Sequence, residues 1–118
     1  LTGELVPLGL FPHSASLVKA FQSSAEKKIA EAFKRDLKGL KQRCGALEGR
    51  ETEGKIKADY ISCFDLFPHV PLYLSFWVAD EEFDADCKLL FDRNAEEHIN
   101  IEYLAYLVER FTGELVAG

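Results

Sequence analysis

Cysteine is scarce in this sequence of 118 residues, and the three cysteines lie far apart. Cys44, Cys63 and Cys87 are separated by 19 and 24 residues, and no C-x-x-C pair occurs. An odd, widely spaced set argues against a disulfide framework and against a structural zinc site, because both need paired ligands. Isolated cysteines are typical small core residues of a reducing compartment, so we expect a cytoplasmic protein.

Long apolar runs are also missing. The longest uncharged apolar stretch covers residues 70–79. This is about half the length that a membrane-spanning helix needs. The sequence therefore predicts a protein without a membrane partner.

Positive charge is in short supply and is concentrated in one segment. The net charge is -6 at pH 7; residues 26–43 contain seven Lys or Arg against three Asp or Glu, whereas residues 44–118 contain six against sixteen. An acidic body repels phosphate backbones, so we do not expect a nucleic acid as the partner. The basic residues of 26–43 alternate with apolar ones, which is typical of a solvated surface helix.

The common sequence signatures of catalysis are absent. There is no G-x-S-x-G nucleophile elbow, no glycine-rich phosphate loop and no H-x-x-x-H pair. The three histidines, His13, His69 and His98, are far apart, and the first two each follow Phe-Pro at a predicted turn. These signatures therefore assign neither a metal-ligand set nor a catalytic residue, and any cofactor stays unknown.

Residues 15–44 have an apolar side chain at every fourth position through most of their length, which predicts a long amphipathic helix. Gly45 is suited to end it, since glycine adopts the left-handed conformation without steric cost. Ser23 and Glu26 have the spacing of a capping box, so a second helix can begin inside this segment.

Three strands are predicted after this helix. Residues 56–67 and 70–79 form the first two, joined by a tight turn at Pro68-His69, and residues 87–91 form the third. In the second strand bulky apolar residues occupy every other position, which is the pattern of a strand with one face in the core.

A final helix is predicted to begin at Asn100, whose side chain can cap it, and to end at Gly113. Together these elements predict an α+β fold for residues 1–118, taken as a single domain. It consists of a long amphipathic helix, a small, mainly antiparallel sheet of three or more strands, and a C-terminal helix.

Five carboxylates occupy the seven positions from 80 to 86. If neighbouring strands bring Asp80 and Glu82 close to Asp92, the three would form a divalent-cation site or a catalytic acid–base group. In the structural interpretation, Asp80 and Glu82 accept backbone N–H groups that fix the turn. Phe83 then anchors the loop in the core, and Asp92 forms an Asx-type turn or caps the short segment 94–98. We favour the structural interpretation.

Several short motifs resemble a known family. They are Pro68-x-Val70-Pro71-Leu72, Phe76-Trp77, Asp80-Glu81-Glu82-Phe83, Leu90-Phe91-Asp92 and Glu102-x-Leu104. In order and spacing they resemble the uncharacterised prokaryotic family called domain of unknown function 3786, in which W-x-x-D-E-E-F is followed by a small-residue turn and L-F-D. The resemblance covers essentially the whole chain. It implies that the family's domain begins well before Leu1, so that residues 1–118 are the C-terminal part of a larger domain.

The resemblance implies little about activity, because the family has no established one. Its members are found mainly in anaerobic bacteria and archaea, and some carry an iron–sulfur binding region upstream. No cysteine pattern for such a cluster occurs in this sequence. The resemblance therefore favours a cytoplasmic accessory role.

We expect an accessory or binding domain for a small ligand, a cofactor or a protein partner, without catalysis of its own. The alternative is a divalent-metal-binding protein or an enzyme that uses Asp80, Glu82 and Asp92. His69 and Trp77 complete the set of candidate binding residues. The identity of the ligand and the oligomeric state stay open.

Overall fold

The computed structural model describes residues 5–8, 25–53, 57–68 and 70–117. These residues form five strands, three α-helices and one short 3-10 helix. In chain order they are β1 (Leu5–Pro7), α1 (Lys27–Phe33), α2 (Leu37–Ala46), β2 (Arg50–Glu51), β3 (Tyr60–Phe67), β4 (Val70–Trp77), β5 (Asp86–Asp92), the 3-10 helix (Ala95–Glu97) and α3 (Ile101–Ala117). The predicted α+β fold with an antiparallel sheet and a C-terminal helix is confirmed.

The strands form one antiparallel sheet in the order β1-β5-β4-β3-β2. The three central strands are those predicted from the sequence, with ends that differ by up to four residues. The edge strand β1 lies within residues 1–13, which the sequence predicts as a short extended segment. The edge strand β2 was not predicted, because a segment of two residues is too short to show an alternating pattern. Pro68 follows β3 in a turn, as predicted, and His69 lies outside the described residues.

One face of the sheet forms the core with the helices. The alternate residues Leu72, Leu74 and Phe76 of β4 are fully buried, which confirms the predicted inward face of this strand. Their partners on β3 and β5, apart from Ser62, belong to the same cluster as apolar side chains from all three helices. The helical members are Ile29, Ala30, Phe33, Leu40, Cys44, Leu104, Val108, Phe111 and Leu115.

The helix predicted to continue to residue 44 is interrupted between α1 and α2, at a position that the sequence did not indicate. Lys34 adopts φ 38° and ψ −94°, and α2 begins afresh after Asp36, whose carboxylate accepts the N–H of Gly39 at 2.9 Å. The carbonyl of Lys34 accepts the N–H of Ala79 at 3.1 Å, so the break joins the helical layer to the end of β4. The four-residue spacing from Phe33 to Leu37 continues across this break, which explains why periodicity did not reveal it. Residues 15–24, including Ser23, lie outside the described part.

The start of α3 was predicted correctly and its end was not. The side chain of Asn100 accepts the N–H of Tyr103 at 2.8 Å, as a capping residue does. The helix passes through Gly113 and continues to Ala117, because Leu115 is buried in the core. No helix of the described part has both the length and the apolar character needed to cross a membrane.

Arg43 of α2 provides a physical reason for the extra turn of α3. Its guanidinium donates to the carbonyl of Glu114 at 2.7 Å and to that of Leu115 at 3.3 Å. Carbonyls in the last turn of a helix lack intrahelical partners, and a basic side chain satisfies them and interacts favourably with the helix dipole. Arg43 thereby fixes the C-terminal end of α3 against α2.

The Glu26 side chain accepts a backbone N–H of β5 just beyond the end of its pairing with β1. Pro7 is the last residue of β1 and lies opposite Leu90, and the N–H of Leu89 donates to the Glu26 carboxylate at 2.8 Å. Burial raises the pKa of Glu26, although the Leu89 hydrogen bond and the charge of Lys88 act in the opposite direction. A neutral acceptor at this position would therefore fit its surroundings better than the carboxylate.

The raised pKa of Glu26 predicts how its contribution to stability depends on pH. Because the folded-state pKa of Glu26 lies above 4.5, its contribution to stability is fully present below the unfolded pKa and is lost as pH rises through the folded value. Glu26→Gln keeps an oxygen for Leu89 without a charge, so its free energy of unfolding at pH 7 should equal or exceed that of the native protein. Glu26→Leu leaves Leu89 without an acceptor and should lose about 1–3 kcal/mol. Urea denaturation of both variants measures these effects, and an equal loss in both at pH 7 would contradict this account.

Candidate functional site

Trp77, one of the candidate binding residues, lies at the end of β4. Its indole N–H donates to the carbonyl of Lys57 at 2.8 Å. The neighbouring carboxylate of Asp59 accepts the N–H of Val78 at 2.8 Å. These two contacts fasten the chain before β3 to the end of β4, so the polar atom of Trp77 is engaged in holding the fold.

The Asp80 carboxylate closes a tight turn beyond β4. One of its oxygens accepts the N–H of Phe83 at 2.7 Å and the N–H of Glu82 at 2.8 Å. These hydrogen bonds, with that of Phe83 the stronger, lower the pKa of Asp80 because they stabilise its ionised form. The predicted role of Asp80 as an acceptor for backbone N–H groups is confirmed. The predicted burial of Phe83 is wrong, since its side chain is 70% exposed.

Asp92 lies at the other end of the sheet from this turn. Trp77 is opposite Asp86 and Leu72 is opposite Phe91, so β5 carries its last residue away from the loop. At about 3.3 Å per residue the strand separates its two ends by roughly 20 Å. The structure therefore does not bring Asp92 together with Asp80 and Glu82.

The local environment of Asp92 is that of a structural residue. It is 2% exposed, and its carboxylate accepts the N–H of Asn94 at 3.1 Å, which confirms the predicted Asx-type turn. Glu82 is exposed in the loop. In the described ranges, no three side chains of His, Cys, Asp or Glu are grouped so that they could hold a metal ion.

Two cavities meet at the edge of the sheet that β2 occupies. The first, of about 330 Å³, lies between this edge and α3; it is lined by Leu47, Glu48, Arg50, Phe64, Asp65, Leu66, Leu107, Arg110, Phe111 and Glu114. The second, of about 590 Å³, reaches the β3–β4 turn; it is lined by Arg50, Cys63, Asp65, Leu66, Phe67, Pro68, Val70, Pro71 and Tyr73. Arg50, Asp65 and Leu66 belong to both. We call the two cavities together the edge cleft.

Arg50 and Asp65 form an ion pair where the two cavities meet. The guanidinium of Arg50 contacts the carboxylate of Asp65 through two N–O pairs, at 3.2 and 3.3 Å, and a third contact joins it to the Cys63 sulfur at 3.7 Å. The hydrogen bond and charge of Asp65 raise the pKa of Arg50. Both charged side chains are exposed, so a ligand in the cleft can reach them.

Among the described residues, no strand pairs with the backbone edge of β3 beside this ion pair. Thr52 donates its N–H to the carbonyl of Ile61 at 2.9 Å, and β2 pairs with β3 only at Ser62 and Cys63. Along an antiparallel strand the backbone N–H and carbonyl groups of alternate residues point to the same edge. Those of Asp65 therefore point to the same outer edge of β3 as those of Ile61 and Cys63, which face β2. Within the part of the chain that the structure describes, no strand lies beyond Cys63 on this side of β3.

Exposed aromatic rings extend the cleft at the start of α3. Phe67 and Tyr103 meet edge to face with ring centroids 6.2 Å apart, and Tyr103 stacks with Tyr106 at 6.0 Å. All three are large side chains with substantial exposure. At the floor of the first cavity, Phe64 and Phe111 pack edge to face at 4.6 Å. The cleft thus combines a rigid aromatic floor with an accessible aromatic end.

The family assignment follows from a comparison with known families. The model of the family described as Domain of unknown function (DUF3786) matches residues 1–114. The chain belongs to this family. The match includes nearly the whole chain, so it gives no support to the expectation that residues 1–118 are only the C-terminal part of the family's domain. No curated protein and no solved structure was found to match the chain.

Sequence reasoning missed the edge cleft of this DUF3786 domain. Arg50 and Asp65 are fifteen positions apart and meet only through the β2–β3 pairing, which the sequence did not predict. A weak signal was present in α3, where Tyr103 and Tyr106 lie outside the buried stripe. Large aromatic residues on the outer face of an amphipathic helix indicate a surface that contacts something.

The Asp80 turn yields a second prediction. Asp80→Ala removes the shared acceptor and should lower the thermal midpoint at pH 7, whereas Asp80→Asn retains an oxygen and should lower it less. Because the folded-state pKa of Asp80 is lowered from 3.8, its contribution is present above the unfolded pKa and is lost as pH falls through the folded value. The difference between native protein and Asp80→Ala should therefore shrink as the pH falls below 3.8. Thermal unfolding with Asp84→Ala as control tests this; equal midpoints for the two alanine variants at pH 7 would refute it.

Proposed function

We propose that this chain is a binding domain without catalysis of its own, and that it binds a small ligand or a segment of a protein partner in the edge cleft. One observation carries the proposal: two cavities meet at a strand edge that no other described strand covers, and an accessible Arg50–Asp65 pair lies between them. Binding sites are typically concave, largely apolar and supplied with a few polar groups that orient the ligand.

The size and lining of the cleft support this proposal. Volumes of about 330 and 590 Å³ fall within the range of roughly 300–1,000 Å³ that is usual for ligand sites. Phe64 and Phe111 form a floor that is part of the core, so the shape is preformed. Arg50 and Asp65 offer charges of both signs at its rim.

The chemistry of the side chains favours binding over catalysis. Arg50 and Asp65 engage each other, and such a pair orients ligands more readily than it transfers protons. Burial raises the pKa of Cys44 to about 11 and that of Cys87 well above its ordinary value. Thiols in this state are poor nucleophiles at neutral pH.

The proposal extends to a cytoplasmic accessory role in an anaerobic prokaryote. All three cysteines are free and buried, which is usual for proteins of a reducing compartment. The acidic composition disfavours a nucleic acid as partner. The alternative, a metal-binding protein or enzyme that uses Asp80, Glu82 and Asp92, gains no support from a geometry that places Asp92 at the far end of β5.

A protein-detected NMR screen tests the proposal. Carboxylate-bearing, amine-bearing and neutral aromatic fragments are added to ¹⁵N-labelled protein, and we expect the bound ones to shift the amides of Arg50, Asp65 and Leu66. For carboxylate fragments, Arg50→Ala should weaken binding about tenfold. Lys38→Ala, which removes an exposed charge from α2, serves as the matched control and should have no effect.

The same spectra distinguish the alternative. Titration with Mg²⁺, Ca²⁺, Mn²⁺ and Zn²⁺ would shift Asp80 and Glu82 if the acidic loop were the binding site. Metal-dependent shifts there, together with a cleft that no fragment perturbs, would overturn the proposal.

A further inference from the structure

We infer that the edge cleft binds an extended peptide of a partner protein, which adds a strand to β3 and alternates apolar with basic side chains. The inference rests on the proposed function and names its ligand class. Phe64, which lines the first cavity, faces the helices, whereas Cys63 and Tyr73, which line the second, alternate with buried core residues and so belong to the other face of the sheet. An added strand needs cavities on both faces of the strand edge that it joins.

The backbone of β3 provides the hydrogen-bonding part of this site. β2 satisfies the outer edge of β3 only as far as Cys63, and the next outward-directed groups are the N–H and carbonyl of Asp65. A peptide placed in line with β2 would pair with these groups. Main-chain hydrogen bonds of this kind supply affinity in strand addition, whereas pockets for alternate side chains supply specificity.

Side-chain alternation explains why there are two cavities. Successive residues of a strand point to opposite faces of the sheet. One residue of the peptide would enter the first cavity, between the sheet and α3, and the next would enter the second cavity on the other face. The shared residues Asp65 and Leu66 lie on β3 between the two positions.

The linings of the two cavities differ in chemistry. The second is mainly apolar, with Phe67, Val70 and Pro71 among its walls, so it fits an apolar side chain. In the first cavity, the charges of Asp65 and Arg50 neutralise each other in their ion pair. The remaining charged side chains are the carboxylates of Glu48 and Glu114 and the guanidinium of Arg110, so negative charge exceeds positive charge by one. This excess of negative charge favours a basic side chain.

The surroundings of the cleft also favour a basic partner. Residues 44–118 contain sixteen acidic against six basic residues, and such a surface accelerates association with a cationic segment. The exposed rings of Tyr103 and Tyr106 lie at one end of the cleft, where a Lys or Arg side chain can stack on them.

Two features limit the extent of strand addition. The register of β3 and β4 shifts between Asp65 and Phe67, and the Arg50–Asp65 pair places charges on the edge. Bulges and charges of this kind protect edge strands from indiscriminate pairing. They also disfavour a second copy of this chain, because its Asp65 and its net charge of -6 would meet their own like charges. Specificity must therefore come from the two cavities.

A set of short peptides tests the inference. The probe is an acetylated, amidated hexapeptide that alternates Lys and Val, and a Glu–Val peptide of the same length is its control. Two further forms carry N-methyl groups on either the Lys or the Val amides. In a strand added to β3, the amides that face β3 belong to alternate residues of the peptide, so either the Lys or the Val amides donate to β3. Methylation removes the donors of one set, so only one of the two methylated forms should bind about tenfold more weakly. Affinities are measured by NMR titration, with shifts expected at Asp65.

Two charge variants of α3 test the cavity assignment. Glu114→Gln removes a carboxylate from the first cavity and should weaken Lys–Val binding about two- to fivefold. Glu109→Gln removes an exposed carboxylate of the same helix that does not line the cleft, and it should leave the affinity unchanged.

Several results would overturn the inference. Equal binding of both N-methylated forms would exclude strand addition, and equal binding of the Lys–Val and Glu–Val peptides would exclude the charge argument. Self-association of the free protein with shifts at Asp65 would make a second copy the occupant. If fragments bind the cleft and no peptide does, the inference fails while the proposed binding function stands. If peptide or fragment shifts appear only outside the cleft, both fail.

Discussion

Gly49 lies so close to the ring of Phe64 that a Cβ at this position would come within 2.5 Å of a ring carbon and 2.7 Å of the Ser62 hydroxyl oxygen. No other residue fits there without displacing the core. The N–H of Gly49 also donates to the carbonyl of Cys44 at 2.8 Å, which ties the turn after α2 to the helix. The chain must therefore pass over Phe64 and enter the sheet only at Arg50, so β2 is short and no other described strand covers the edge of β3 beyond Cys63.

The other wall of the edge cleft is positioned by the core. Phe111 of α3 packs on Phe64, and Arg43 holds the last turn of α3 against α2. Both contacts connect the cleft to the layer of helices that covers one face of the sheet. The charged rim, by contrast, consists of exposed side chains whose replacement costs little stability. A site of this construction can change its ligand preference at the rim while its shape is preserved.

Local patterns predicted the parts of the fold that depend on local physics. Alternation in β4 identified its buried face, and the position of Asn100 identified the start of α3. Features that depend on long-range pairing escaped prediction. The separation of Asp80 from Asp92 follows from the β4–β5 register, and the meeting of Arg50 with Asp65 follows from a two-residue strand. The fold class was therefore predictable, whereas the edge cleft was not.

The central claim is that the edge of β3 beside Asp65 is available to a ligand, and amide hydrogen exchange tests it most directly. Phe64 directs its N–H towards β4, whereas Asp65 directs its N–H to the open side. After correction for intrinsic rates, the account predicts that the Asp65 amide of the free protein exchanges at least about tenfold faster than the Phe64 amide. Equal protection of the two amides would show that the edge is already covered and would contradict the account.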